Sequence, residues 1–200
     1  MTDVGGGGAV AGEPVSSVVR LSLSLRVSTF TVQAFAGGML SALGHDPTFA
    51  ARDYSGEIEC NPETGEGASL VLRVKAASLK LVDDFSSKDR RTIEETLQAE
   101  VLESTTYPDI MYDSPASVTS VKRTGDGQFD LTLNGTLSLH GVSRRHPIGA
   151  KVIASAAMLR AFGQFRIRQS DYSIKPVNVG GGALKVKDEL KCVFDIVARP

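Results

Sequence analysis

The strongest constraint on this chain is an apolar/polar alternation that recurs from one end to the other. Leu21, Leu23, Leu25 and Val27 share one parity against Ser22, Ser24, Arg26 and Ser28. Phe129, Leu131, Leu133, Leu137 and Leu139 repeat the pattern against Asp130, Thr132, Asn134, Thr136 and Ser138. Leu159, Ala161, Gly163, Phe165 and Ile167 oppose Arg160, Gln164, Arg166 and Arg168. Leu190, Cys192, Phe194, Ile196 and Ala198 oppose Lys191, Asp195 and Arg199. Side chains of a strand point alternately to its two faces, so each run has a dry face and a wet one. Helices do not separate these strands, which excludes a βαβ architecture. The expectation is an all-β, antiparallel sheet closed into a barrel, because closure removes the unpaired edges that so many strands would expose.

Local signals refine the picture. The phase slips near Ser28, after which Phe30, Val32 and Ala34 hold the apolar positions. A bulge or turn there would exchange the faces. Asn61-Pro62-Glu63-Thr64-Gly65 is a turn signal between a strand at Asp53 to Cys60 and a return strand at Ser69 to Ala76. One helix is expected: Ser86 or Ser87 can cap it, Asp89 places negative charge in its first turn, and Ile93, Leu97 and Val101 form a narrow apolar stripe. It should lie against the barrel and end at Tyr107-Pro108.

Two hundred residues at 42% hydrophobic content can form one such domain over 17–200, preceded by a flexible arm over 1–16 that carries Gly5 to Gly8. A formal net charge of −1 argues against nucleic acid and against an anionic membrane surface. The start of the chain has neither a basic region nor a continuous apolar one, and no stretch is apolar enough to span a bilayer, so a cytoplasmic protein is expected. In that setting Cys60 and Cys192 should be reduced and serve as small core hydrophobes.

The inward rows are uneven. Ala161 and Gly163 sit between Leu159 and Phe165, and Gly135 interrupts a row of leucines. Such small residues either leave a hollow interior or only permit strands to bend.

Several segments resemble the YceI-like family in family order, over roughly residues 20 to 198. They are Ser28-Thr29-Phe30-Thr31-Val32, then Tyr54-Ser55-Gly56-Glu57-Ile58 through Asn61-Pro62-Glu63 to Val74-Lys75-Ala76-Ala77-Ser78-Leu79. Val101-Leu102-Glu103-Ser104 follows with Tyr107-Pro108-Asp109-Ile110. Asn134 to Arg144, with its Leu139-His140-Gly141-Val142 centre, is the most specific. Ala161-Phe162-Gly163-Gln164-Phe165, Gln169-Ser170-Asp171-Tyr172 and Lys185 to Leu190 complete the set. The resemblance implies a lipocalin-like barrel of about eight antiparallel strands with one covering α-helix. It also implies an interior channel for a polyisoprenoid, such as a quinone or its precursor, or another long-chain lipid, and often a homodimer. The region from Gly37 to Phe49, with Gly44-His45-Asp46, differs from the commoner family version and should shape its own cavity mouth.

The expected function is therefore non-catalytic binding, transport or sequestration of a long apolar ligand, with no required cofactor. Leu72, Val74, Leu131, Leu133, Ala161, Gly163, Phe165, Ile167 and Phe194 are the expected ligand-binding wall. Each buried methylene contributes about 0.8 kcal/mol, so a prenyl unit supplies about 4 kcal/mol before ordering costs. A rival reading makes the barrel the scaffold of a protein-interaction or stress-adaptor module, whose contacts would be Gly37 to Phe49 and Gly180 to Gly182. An enzyme using His45 and Asp46 ranks below both.

No nucleophile elbow, H-E-x-x-H, C-x-x-C or phosphate-loop motif occurs. His140 and His146 would lie about 20 Å apart on one strand, so no metal site is expected unless a turn at Gly141 brings them together. Asp83-Asp84 and Asp188-Glu189 read as turn residues or ion-pair partners. Arg144-Arg145 with Lys185 and Lys187 lacks the interleaved aromatics of a nucleic-acid surface.

Overall fold

The computed structural model describes residues 18–23, 27–37, 46–155, 157–179 and 184–200. The expected N-terminal arm, Leu25, Gly44-His45 and Gly180 to Gly182 lie outside them. The first strands are β1 (Val19–Leu23), β2 (Thr29–Gly37), β3 (Thr48–Ala51), β4 (Tyr54–Cys60), β5 (Ser69–Lys75) and β6 (Leu79–Leu81). Helix α1 (Ser87–Thr96) follows and widens into a π turn at Leu97–Val101. The remaining strands are β7 (Asp109–Ser114), β8 (Ser120–Gly125), β9 (Gln128–Leu133), β10 (Thr136–Leu139), β11 (Val142–Arg145), β12 (Ile148–Ser155), β13 (Met158–Arg168), β14 (Asn178–Val179) and β15 (Leu184–Arg199).

These strands form one curled, barrel-like antiparallel sheet in the order β11-β10-β7-β5-β4-β1-β15-β13-β12-β9-β8. Along β15 also run β2 and β14, with β3 beside β2 and β6 beside β3. Its concave face carries the apolar rows read from the sequence. In β9 and β10 the buried positions are Phe129, Leu131, Leu133, Leu137 and Leu139, so the row keeps its parity across Gly135. In β12 the burial alternates residue by residue over the whole strand.

The phase slip near Ser28 falls between the end of β1 and the start of β2. Ala198 of β15 pairs with Leu23 and Asp195 pairs with Thr29, so β15 spends far fewer residues on this stretch than its neighbour does. Ser28 is buried in the gap. Its hydroxyl accepts from the Val197 N–H at 2.9 Å and lies 3.3 Å from the Val197 carbonyl, standing in for the missing backbone ladder. The Tyr54 hydroxyl donates to the Ser28 carbonyl at 2.6 Å. The expected hairpin also forms, with Tyr54 opposite Val74 and Glu59 opposite Ser69. Asn61 closes its turn: the side-chain oxygen accepts from the N–H groups of Glu63 and Thr64, and Gly65 takes a φ of 72°.

Ser86 caps α1 by accepting from the Asp89 N–H at 3.1 Å. The helix is tied along β6: Arg90 donates to the carbonyls of Leu81 and Asp83, while Glu94 accepts from the Leu81 N–H and pairs with Lys80. It does not run to Tyr107-Pro108 as the sequence suggests. The Leu102 N–H closes the π turn on the Leu97 carbonyl, and Glu103 then enters the left-handed region at φ 44°. The Glu103 carbonyl accepts from Thr106 and Tyr107 N–H groups, which makes a separate turn before β7. His140, at φ 51° in the β10–β11 turn, locks this turn in place. Its Nε2 is 2.8 Å from Glu103 Oε2, and its ring lies 4.3 Å from that of Tyr107.

Gly135 and Gly163 are not sources of empty space, which corrects one of the two readings above. A Cβ on Gly135 would lie 2.4 Å from the Asp113 carbonyl and 2.8 Å from the Tyr112 ring. A Cβ on Gly163 would lie 2.6 Å from the Gly149 carbonyl and 2.8 Å from the Phe194 ring. Both positions are already filled by neighbouring strands and aromatic rings. Gly135→Ala should therefore destabilise the protein by about 1–3 kcal/mol, since a backbone carbonyl cannot swing aside. An unchanged midpoint in urea unfolding would show that the crossing relaxes freely.

Candidate functional site

The concave face encloses a cavity of about 1000 Å³, at the upper end of the ~300–1,000 Å³ typical of small-molecule sites. The lining is overwhelmingly apolar and draws on most of the strands. Leu70, Leu72 and Val74 of β5, Leu131 and Leu133 of β9, and Ala161, Phe165 and Ile167 of β13 all reach it. From β2 come Phe30, Val32, Ala34 and Ala36. Aromatic rings run across the wall in sequence. Tyr54 meets Phe30 edge-on at 5.0 Å, and Phe194 lies 6.5 Å from both Phe30 and Phe165.

The cavity has a sealed end and an open end. The run from Ser69 to Leu81 joins them, with the Asn61–Gly65 turn before its start and α1 against its finish. At the first end Asn61, Ala68 and Phe129 are buried, and the Gly65 backbone packs directly on the Phe129 ring. At the second end the lining residues Asp84, Ser86, Asp89, Thr92 and Glu100 are exposed. Helix α1 stands at this mouth. Its apolar stripe of Ile93, Leu97 and Val101 lines the cavity and is only half-buried, and no residue of α1 is fully buried. An amphipathic helix in a globular protein normally turns such a stripe onto packed side chains. Here it packs against the rim of the apolar cluster and also lines the cavity.

Polar groups within the wall are few and engaged. Tyr112 is buried; its hydroxyl accepts from the Gly135 N–H at 3.1 Å and lies 2.8 Å from the Leu133 carbonyl and 3.0 Å from that of His146. Burial pushes the phenol up from its ordinary range. Gln169, also buried, donates to the Lys187 carbonyl at 3.0 Å. Cys60 and Cys192 are free, buried thiols on the wall. Burial raises both, and Cys192 reaches about 12, so neither presents a thiolate nucleophile near neutral pH.

Eight of the nine wall residues named from the sequence line the cavity: Leu72, Val74, Leu131, Leu133, Ala161, Phe165, Ile167 and Phe194. Gly163 does not; it lies under the Phe194 ring. The helix stripe, Phe85 at the mouth, and Ile174 and Val177 beyond β13 line it without having been singled out. The four-residue spacing of Ile93, Leu97 and Val101 was the available signal, but periodicity gives a buried face without saying that it also borders a cavity.

The other sequence candidates serve the scaffold. Asp46 accepts from the Ala36 N–H at 2.8 Å, Asp83 from the Thr48 N–H, and Asp188 from Ser170 N–H and hydroxyl. Glu189 pairs with Arg166, and Arg144 with Asp171 at 3.7 Å. His140 and His146 sit at opposite ends of the β10–β11 hairpin, which keeps Thr136 opposite Arg145 and Leu139 opposite Val142. Among the described residues no group of three or more His, Cys, Asp and Glu is placed to hold a metal ion, and no helix is long and apolar enough to cross a membrane.

Fold and site together define a barrel-like β protein built around an apolar cavity. The chain belongs to the YceI-like domain family, whose model matches residues 16–198. Among solved structures it is similar to BcnA of Burkholderia cenocepacia, with a TM-score of 0.67 and 17% identity over 88% of this chain and 98% of that one. It is also similar to a polyisoprenoid-binding domain from Saccharophagus degradans implicated in plant cell wall breakdown, with a TM-score of 0.62 and 15% identity over 90% and 97%. The YceI protein of Campylobacter jejuni gives a TM-score of 0.53 and 19% identity over 75% and 82%. At these identities the likeness establishes a shared fold. No curated protein is a significant match.

His146, beside the wall residue Phe165, adds a pH dependence to the fold. Its ring lies 5.3 Å from that of Phe165, and burial, partly opposed by the charge of Asp171, holds the imidazole below its ordinary 6.5. The unfolded chain thus takes up this proton first. The stabilisation is fully present above about pH 6.5 and falls away as pH drops toward the lower native value. Urea unfolding between pH 7.5 and 5 should show a declining midpoint, and His146→Gln should flatten that decline. An equal slope in the variant would assign the loss to other groups.

Proposed function

We propose that this protein binds a long apolar chain of polyisoprenoid type inside the sheet and carries or sequesters it without acting on it chemically. The observation that carries the reading is the apolar cavity of about 1000 Å³, with a half-buried helix stripe left facing it. Membership of the YceI-like family and the description of the Saccharophagus degradans neighbour as polyisoprenoid-binding support the ligand class. A quinone or its precursor is the form favoured here. On this reading Leu72, Val74, Leu131, Leu133, Ala161, Phe165, Ile167 and Phe194 contact the chain, and Gly163 acts through the Phe194 ring it accommodates.

The proposal includes full closure of the sheet around the ligand. In support, composite runs follow one another by antiparallel pairing: β1–β2, β3–β4, β5–β6, β7–β8, β9–β10, β11–β12, β13 and β15. The last of them, β15, pairs back to β1 and β2. Eight such runs are enough to surround one small ligand. The inert state of both wall thiols and the scaffold roles of Asp46, Asp83 and Asp188 favour binding over catalysis.

Native mass spectrometry of gently purified protein, with solvent extraction of the same sample, tests this directly. A lipid adduct of isoprenoid mass is the expected result; an empty protein that also refuses added prenyl alcohols would overturn it. Ala161→Phe places a ring in the cavity from a position already facing it. The variant should keep the native unfolding midpoint within about 1–3 kcal/mol and lose at least tenfold in lipid capture. Undiminished capture by a folded Ala161→Phe protein would place the ligand elsewhere.

A further inference from the structure

The cavity's sealed end and its exposed mouth fix which way a ligand must lie, and the charges at the mouth then restrict its head. We infer that the site takes its chain tail-first and selects an uncharged or cationic head over a phosphorylated one, an inference that rests on the binding reading above. The sealed end, under Phe129 and the Asn61–Gly65 turn, is buried, and the Asn61 side-chain oxygen there already accepts from the Glu63 and Thr64 N–H groups. A polar head buried there would lose its hydration without gaining partners, so it stays at the mouth beside α1.

At that mouth the charged lining side chains are Asp84, Asp89 and Glu100, with the hydroxyls of Ser86, Thr92 and Thr96 between them. Among the described lining residues there is no lysine, arginine or histidine. The sequence outside the described residues holds only Arg26 and His45 as basic side chains. Along α1 the cations Arg90 and Arg91 are engaged, Arg90 with the Leu81 and Asp83 carbonyls and Arg91 with Glu95, and Lys80 pairs with Glu94; Lys88, beside Asp89 in the first turn, is exposed and does not line the cavity. Phosphate recognition depends on arginine, lysine or converging backbone N–H groups. A phosphate here would instead meet carboxylates, whereas a hydroxyl, a hydroquinone or an amine finds acceptors.

Three ligands of one chain length separate head from tail: geranylgeraniol, geranylgeranyl phosphate and geranylgeranylamine, each displacing bound phenylnaphthylamine from the full-length protein. The alcohol and the amine should compete at least tenfold better than the phosphate at low salt. The gap should narrow as salt screens the exposed carboxylates. It should also narrow in an Asp84→Asn, Glu100→Gln variant, which leaves Asp89 in its hydrogen bond with Ser86. Phosphate binding equal to or tighter than the alcohol overturns the head selectivity while leaving the cavity reading intact. So does a gap that neither salt nor the variant moves. Failure of all three ligands to displace the probe overturns the cavity reading, and this inference with it.

Discussion

The curled sheet depends on what happens at one buried phenol. Tyr112 projects from β7 to the point where β9 gives way to β10 and β11 gives way to β12. Its hydroxyl accepts from Gly135 and faces the carbonyls of Leu133 and His146. These are backbone groups at the ends of ladders, where strands change partners, and an unpaired buried amide costs about 1–3 kcal/mol. Gly135 is what lets the ring arrive, because any Cβ would occupy its place. The same solution recurs at Ser28, between β1 and β2, where a hydroxyl bonds the backbone of Val197. Side chains that repair breaks in the backbone network allow strands to change neighbours and the sheet to curl.

The curl creates inward rows that never meet in the middle. A solid core would need large side chains interdigitating across that space at close packing. Here Ala34, Ala36, Ala150, Ala154 and Ala161 share the wall with leucines and phenylalanines, and the opposite wall is out of their reach. Helix α1 does not fill the gap because its polar anchors hold it along β6. Arg90 and Glu94 bind the backbone of Leu81 on one side, and the Glu103–His140 contact fixes the turn that follows the π segment. The helix is thus fastened at the rim with its apolar stripe turned inward.

Much of this was legible in the sequence, and the missing parts share a cause. Alternation located the longer strands, such as β9, β13 and β15, and Ser86 the helix start, because each depends on local geometry; the short β3, β6 and β11 offered too few residues to alternate, and β8 and β12 were not read as strands. Wall residues such as Leu131 and Phe165 followed from parity alone. The helix end was missed because Tyr107-Pro108 is the louder stop signal, while the actual break lies at Glu103 in a left-handed conformation that tertiary contact with His140 sustains. Gly163 was misassigned because sequence gives the size of a side chain but not what occupies the vacated volume. Phe194 pairs with it across β13 and β15 and covers it. That the interior is hollow is a property of the whole curl, and no single run of residues encodes it.

A hollow interior changes how this fold must be stabilised. The outward ion pairs are exposed, including the two-pronged contact of Arg160 with Asp195 at 2.8 and 2.5 Å, and such pairs contribute about 0–1 kcal/mol each. The inward apolar rows lose water on folding but lack the dispersion contacts that an opposing wall would supply. Native stability therefore draws on the buried apolar cluster together with the ladders and their side-chain repairs, with the unfilled contacts held in reserve. A ligand that fills the cavity restores them, and it binds only the folded chain. By mass action it adds about 2.7 kcal/mol at a hundredfold excess over its dissociation constant. The void that makes binding possible thereby couples occupancy to stability, and the half-buried stripe of Ile93, Leu97 and Val101 is where that coupling reaches the helix.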